Sequence, residues 1–231
     1  STGYIQHFDL VPYFDGVLLR VPQRTNPTEL EPVIRQDKMF QVYKEHLTLQ
    51  RTVGLDNVGD LNRAIEKDMA SEVIMVSEAM QEKQVAKIAE EIAARYDSGI
   101  RIVLISGPSS SGKTTFCKRL EIQLITNLIH PVGLSLDDYF LNREDTPKDE
   151  SGEYDFESLY ALDLPYFNSE LQKLLSGEEI EVPSFDFETG HRVFKGKKLK
   201  MQKNSVLVIE GIHALNPELT SMIEDRYKYR I

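Results

Sequence analysis

The sequence predicts an α/β protein: a parallel sheet with flanking helices, preceded by a small α+β module. Three observations carry this. Continuous apolar runs of strand length occur at Ile100–Ser106, Val132–Leu136 and Ser205–Ile209. Helical spacing fills the interval between the first two, and a glycine-serine loop marks the first strand-to-helix junction. Alternating strand, helix and strand requires crossover connections, which belong to parallel sheets.

Taken in chain order, Gly16–Pro22 reads as a strand closed by proline, and Pro27–Gln50 has mixed helical spacing broken at Pro32. A helix is expected over Asn57–Asp68 and a short strand over Glu72–Val76. From Ala79 to Tyr96, Val85, Ile88, Ala89, Ile92, Ala93 and Tyr96 recur at offsets of three and four, the mark of an amphipathic helix. Gly99 supplies its left-handed stop. The domain boundary therefore falls upstream, between Asp68 and Ser77, which divides the chain into 1–76 and 77–231. Beyond the loop, Lys113 to about Ile129 forms a second helix carrying Phe116, Leu120, Leu124 and Leu128, and a polar segment follows the next strand as far as Asp155. Asp163-Leu164-Pro165 opens a further helix, with Asp163 as cap and Pro165 in the first turn, ending at Gly177. Between Arg192 and Lys203 six basic residues alternate with Val193, Phe194, Leu199 and Met201, which predicts a hairpin with one solvated face.

Composition excludes several classes. The 231 residues include 27 Lys and Arg against 37 Asp and Glu, a net charge of −10, and 41% are hydrophobic. Each part is acidic, with 11 basic and 16 acidic residues before Gly99 and 16 and 21 from there on, so neither offers a basic surface for nucleic acid. The single cysteine, Cys117, rules out an internal disulfide framework and a Cys-clustered zinc site, fits a reducing cytoplasm, and is expected to pack. No apolar run approaches the roughly 20 residues of a membrane helix. A soluble, cytoplasmic protein is expected, and a homo-oligomer is compatible with the composition.

Gly107-Pro108-Ser109-Ser110-Ser111-Gly112-Lys113-Thr114 meets the G-x-x-x-x-G-K-[ST] spacing at every specified position, and Thr115 continues it. Glycines let backbone N–H groups curl around a phosphate, the following helix directs its positive end at it, and Lys113 adds a mobile cation. Thr114 offers a hydroxyl to Mg²⁺. A kinase also needs carboxylates to hold that metal and to align the acceptor. Two strand ends supply them. Gly133-Leu134-Ser135-Leu136 runs into Asp137-Asp138, and Val206-Leu207-Val208-Ile209 delivers Glu210 followed by Gly211, both at the carboxyl edge where open α/β sheets bind ligands. Either Asp137 or Asp138 also suits the cap of the next turn.

Taken together, residues 107–115, Leu-Asp-Asp-Tyr-Phe at 136–140, Tyr-Asp-Phe-Glu-Ser at 154–158, Val-Pro-Ser-Phe-Asp-Phe at 182–187 and Ile-Glu-Gly-Ile at 209–212 resemble the uridine kinase and phosphoribulokinase family in order and spacing. The resemblance covers about Arg101 to the end. It implies a P-loop kinase fold, with ATP and Mg²⁺ as cofactors and a small-molecule acceptor, in the nearest case the 5′-hydroxyl of uridine or cytidine. Position by position it implies that Gly107, Ser109, Ser110, Ser111, Gly112, Lys113, Thr114 and Thr115 hold the nucleotide, and that Lys113 and Asp137 serve catalysis. Thr114, Asp137 and Glu210 would serve the metal, and Asp155, Phe185, His191 and Arg192 the acceptor: Asp155 on ribose hydroxyls, Phe185 at the base, Arg192 against phosphate charge.

The departures bear on the acceptor. The family usually has Phe-Asp-His-Pro where this chain has Tyr154-Asp155-Phe156-Glu157, and its pocket histidine stands one position before His191. Phosphoribulose, pantothenate or another small alcohol is therefore an alternative acceptor, and a nucleotide-regulated binding module without catalysis is an alternative of another class. The family's arginine-bearing lid and last strands are expected beyond Ile231. The amino-terminal part, through residues 3–9 and Tyr13-Phe14-Asp15-Gly16, resembles the threonyl-tRNA-synthetase-like region of long bacterial proteins fused to a uridine-kinase-like domain. It carries no His-x-x-x-His pair, so no metal or editing activity is expected of it.

Overall fold

The structure, a computed structural model, describes residues 7–231; of the amino-terminal stretch at residues 3–9, residues 3–6 lie outside the described ones. The chain divides into two compact units between Val76 and Ser77.

In the first unit, β1 (Asp9–Tyr13) and β2 (Gly16–Arg20) form an antiparallel hairpin. α1 (Asp37–Val53) begins only after the prolines and ends at Gly54, whose φ of 73° gives the left-handed cap. α2 (Val58–Glu66) starts at Asn57, which forms a reciprocal capping box with Asp60. The strand expected over Glu72–Val76 is instead the opening of α3 (Ala70–Ala94), within which the division of the chain falls. Val73, Ile74 and Val76 favour a strand, but β-branching costs a helix only tenths of a kcal/mol per residue, roughly. No glycine or proline interrupts the 25 residues.

The second unit is built on β3 (Ile102–Ile105), α4 (Lys113–Thr126), β4 (His130–Ser135), α5 (Leu164–Leu175), β5 (Glu179–Asp186), β6 (His191–Lys200), β7 (Ser205–Glu210) and β8 (Lys228–Arg230). Four strands form a sheet in the order β4-β7-β3-β8, all parallel. Because strand side chains alternate, Ile102, Leu104, Leu207 and Ile209 enter one core with Phe167, Leu171 and Leu174 of α5. Val103, Ile105, Val206 and Val208 enter the other, with Leu120 and Leu124 of α4 and Val85, Ala89 and Ile92 of α3. Both faces are covered, which is why these strands are apolar throughout.

The expected hairpin within Arg192–Lys203 is corrected in one respect. As far as Lys200 those residues lie in a single long strand, β6, whose antiparallel partner is β5. Two of its lysines face acids across the pair, at Glu179↔Lys200 and Glu181↔Lys198, so the basic run is compensated in part. Among the described residues no helix is long and apolar enough to cross a membrane.

Candidate active site

The phosphate loop joins β3 to α4. Its curl is set by left-handed backbone at Ser110 (φ 59°) and Gly112 (φ 87°). A Cβ on Gly107 would stand 2.9 Å from Ser111 Oγ and 3.3 Å from Lys113 Cγ, so a larger residue there would displace the side chains of the loop. No side chain caps α4, whose N-cap is Gly112. The first turn of a helix has no acceptor of its own for its N–H groups, so here they suit an anion. Lys113 Nζ donates back to Pro108 O at 2.8 Å, spanning the loop. Beside it opens a cavity of about 410 Å³ lined by Gln81, Ser111, Lys113, Thr115, Phe116 and Arg119 among others. Glu82 and Gln81 hold Arg119 at 2.9 and 2.8 Å.

The sheet order puts β7 between the loop-bearing β3 and the acid-bearing β4, and register brings Glu210 level with Ile105 on one side and Ser135 on the other. Thr114 Oγ1 and Ser135 Oγ each donate to Glu210 Oε1 at 3.3 Å. Past Ser135 the chain turns in a single 3-10 turn, Leu136–Tyr139, that carries both aspartates. The Asp137 carboxyl is held above the ordinary range, first by burial and then by the charge of Glu210, with Lys113 pulling the other way. Lys113, Thr114, Asp137 and Glu210 thus form one electrostatic site.

Asp138 has a different task. Its Oδ1 accepts from Phe185 N–H at 3.3 Å, tying the acid turn to β5. Phe185 stands in a ring cluster, its centroid 5.6 Å from that of Phe140 and 5.1 Å from that of Phe187. His191 lies across from Asp186 on β6, exposed, with Nδ1 3.8 Å from Glu144. Arg192 engages Asp163 and the carbonyls of Tyr139 and Phe140. Asp155 is half-buried and accepts from Glu157 N–H at 3.1 Å, a local turn apart from the loop contacts just described. Sequence reasoning missed Ser135 and the hairpin role of Asp138. Ser135 had a signal, since it is the last β4 residue before the acid turn.

The residues fit a hard divalent cation. The hydroxyl of Thr114 and the carboxylates of Asp137 and Glu210 are oxygen donors, and Mg²⁺ is usually held by one or two carboxylates together with substrate phosphates. Among the described residues no group of three or more His, Cys, Asp or Glu gathers as a self-sufficient metal cage.

This fold and loop define an α/β phosphate-binding protein with acids at the sheet edge. A family model described as the phosphoribulokinase / uridine kinase family matches residues 102–225, more than half of the chain, and the chain belongs to that family. It is 34% identical over 121 residues to a uridine kinase of Schizosaccharomyces pombe, covering 52% of this chain and 26% of that one. Over 126 residues it is 29% identical to a uridine kinase of Halobacterium salinarum, covering 54% and 53%. Over 137 residues it is 30% identical to an inorganic pyrophosphatase of Arabidopsis thaliana, covering 59% and 18%. The chain therefore spans about half, or less, of these relatives. Among solved structures, a possible uridine kinase from Bacillus stearothermophilus is similar at a TM-score of 0.48 and 20% identity, covering 61% of this chain and 78% of that one.

Proposed function

We propose that this protein transfers the γ-phosphoryl group of ATP to a hydroxyl of a small alcohol, with a uridine- or cytidine-like nucleoside as the first candidate. The observation that carries the proposal is the contact of Thr114 Oγ1 with Glu210 Oε1 beside Asp137, which makes the loop and the strand-tip acids a single site. Family membership and the two uridine kinase relatives support the same chemistry.

In this reading the loop N–H groups bind the phosphates, and Lys113 exchanges the Pro108 carbonyl for a phosphate oxygen. Thr114, Glu210 and Asp137 would hold Mg²⁺, which would supply positive charge against the transferring phosphoryl group. Asp137 aligns the acceptor hydroxyl and takes its proton as the phosphoryl group is transferred. Phe185 faces the acceptor, and its cluster with Phe140 and Phe187 favours a planar group. Asp155 serves vicinal hydroxyls and His191 the outer edge of the acceptor.

The test is transfer from radiolabelled ATP to a panel of nucleosides, phosphoribulose and pantothenate, with Mg²⁺ present. Labelled nucleoside is expected, and Lys113→Ala is expected to lower kcat by about 10²-fold or more without unfolding. Full turnover by Lys113→Ala, or label released only as phosphate to water, rejects the proposal.

A further inference from the structure

We infer that Arg192 is a positioning residue that locks the acid turn to the acceptor-side hairpin, rather than a ligand of substrate phosphate; this rests on the kinase reading above. Three of its donor contacts are already taken within the protein. Nη1 donates to Asp163 Oδ2 at 2.9 Å, and Nη2 donates to Phe140 O at 3.0 Å and Tyr139 O at 3.3 Å. The guanidinium also stacks 5.0 Å above the Tyr166 ring, and its side chain is only 16% exposed. Its own backbone N–H donates to Asn142 Oδ1 at 3.1 Å.

These partners belong to three separate elements. Tyr139 closes the 3-10 turn that carries Asp137 and Asp138, Asp163 is the N-cap of α5, and Arg192 itself sits on β6. Asp163 serves both: Oδ1 accepts from Tyr166 N–H to cap the helix, while Oδ2 takes the guanidinium. One residue before Tyr139 in the same turn, Asp138 holds Phe185 of β5. The acid turn is therefore pinned to the hairpin at two points, one on each strand, and the planar guanidinium is what lets one side chain reach two carbonyls and a carboxylate together. Any shift of the hairpin that carries Phe185 and His191 is transmitted to the backbone that aims Asp137.

Arg192→Lys, Arg192→Met and Asp163→Asn in the full chain test this, the last because asparagine keeps the helix cap while losing the charge. The expected result is a kcat/KM for the acceptor lowered by roughly 10- to 100-fold in Arg192→Met, a smaller loss in the other two, and nucleotide affinity within about twofold of wild type. Hydrogen exchange provides a readout independent of turnover: amides of residues 138–140 and 185–192 should exchange roughly tenfold faster in Arg192→Met while β3 and α4 stay protected. Unchanged acceptor kinetics and unchanged exchange in the folded variants overturn the inference, as does a loss confined to nucleotide affinity. If wild type phosphorylates no alcohol, the kinase reading fails, and the exchange result alone decides whether the lock exists.

Discussion

Gly211 directly follows Glu210 and Leu136 directly precedes Asp137, so the contact between these two uncharged residues sets the spacing of the acids they adjoin. A Cβ on Gly211 would lie 2.7 Å from Leu136 Cβ, 2.8 Å from Cδ1 and 3.0 Å from Cγ. Carbon atoms rest at about 3.5–4.0 Å, so Gly211→Ala must displace one strand tip from the other by about 1 Å. Leu136 is 2% exposed and has no open side to retreat to. Gly211 is not among the glycines at positive φ, so alanine meets no backbone penalty and the effect is steric. Overpacking of this kind costs about 1–3 kcal/mol. For a unit of this size that lowers the Tm by roughly 2–12 °C. A displacement near 1 Å at reacting groups costs on the order of 10²-fold in kcat. Thermal unfolding followed by circular dichroism, with phosphoryl-transfer kinetics on the same sample, measures both. Adding Leu136→Ala removes two of the three clashing atoms, so the double variant should lose less stability than the two single losses summed. Gly211→Ala with the Tm and kcat of wild type would refute the reasoning.

Asp137→Asn should lower kcat by about 10²-fold or more, measured with saturating ATP and acceptor. Its stability should respond to pH in the opposite sense to that of a salt-bridged acid. The Asp137 carboxyl keeps its proton above the ordinary value of 3.8, so the cost of ionising it is absent well below that pH and complete above the raised value. Urea unfolding should show the asparagine variant gaining on wild type as pH rises through that window, and a gain that grew on acidification would contradict the assignment. Burial, and next the charge of Glu210, push the Cys117 thiol up from 9.0 to about 12. Iodoacetamide at pH 8 should therefore label it roughly a thousandfold more slowly than a free thiol, with rapid labelling only after unfolding.

The parts legible in the sequence are those in which one strand, one loop and one helix follow each other without interruption. β3, the phosphate loop and α4 are of this kind, and so are β7 with Glu210 and β4 with Asp137, because an apolar run ending in an acid is a local pattern. The start of α2 at Asn57 and the Asp163 cap were also readable, since a cap bonds within three residues of itself. What stayed hidden depends on distant chain. β5 was invisible because proline and charge break its pattern, and β6 reads as a hairpin only when its partner is unknown. Arg192 and Asp163 stand 29 residues apart, and Asp138 and Phe185 stand 47 apart, so no spacing rule could pair them. Glu72–Val76 misled for the converse reason: strand propensity was present, but no neighbouring strand was there to use it.

The β5–β6 pair forms a two-stranded sheet of its own and adds no strand to the four-stranded one. In the proposed reading the phosphate loop and the acceptor-side hairpin thereby rest on different sheets, joined through the acid turn by Asp138 and Arg192. Substitutions on the ribbon's solvent face, away from Phe185 and Arg192, leave undisturbed the register that keeps Glu210 level with the loop. A lineage built on this plan is free to vary the outer ribbon only as far as those two ties hold.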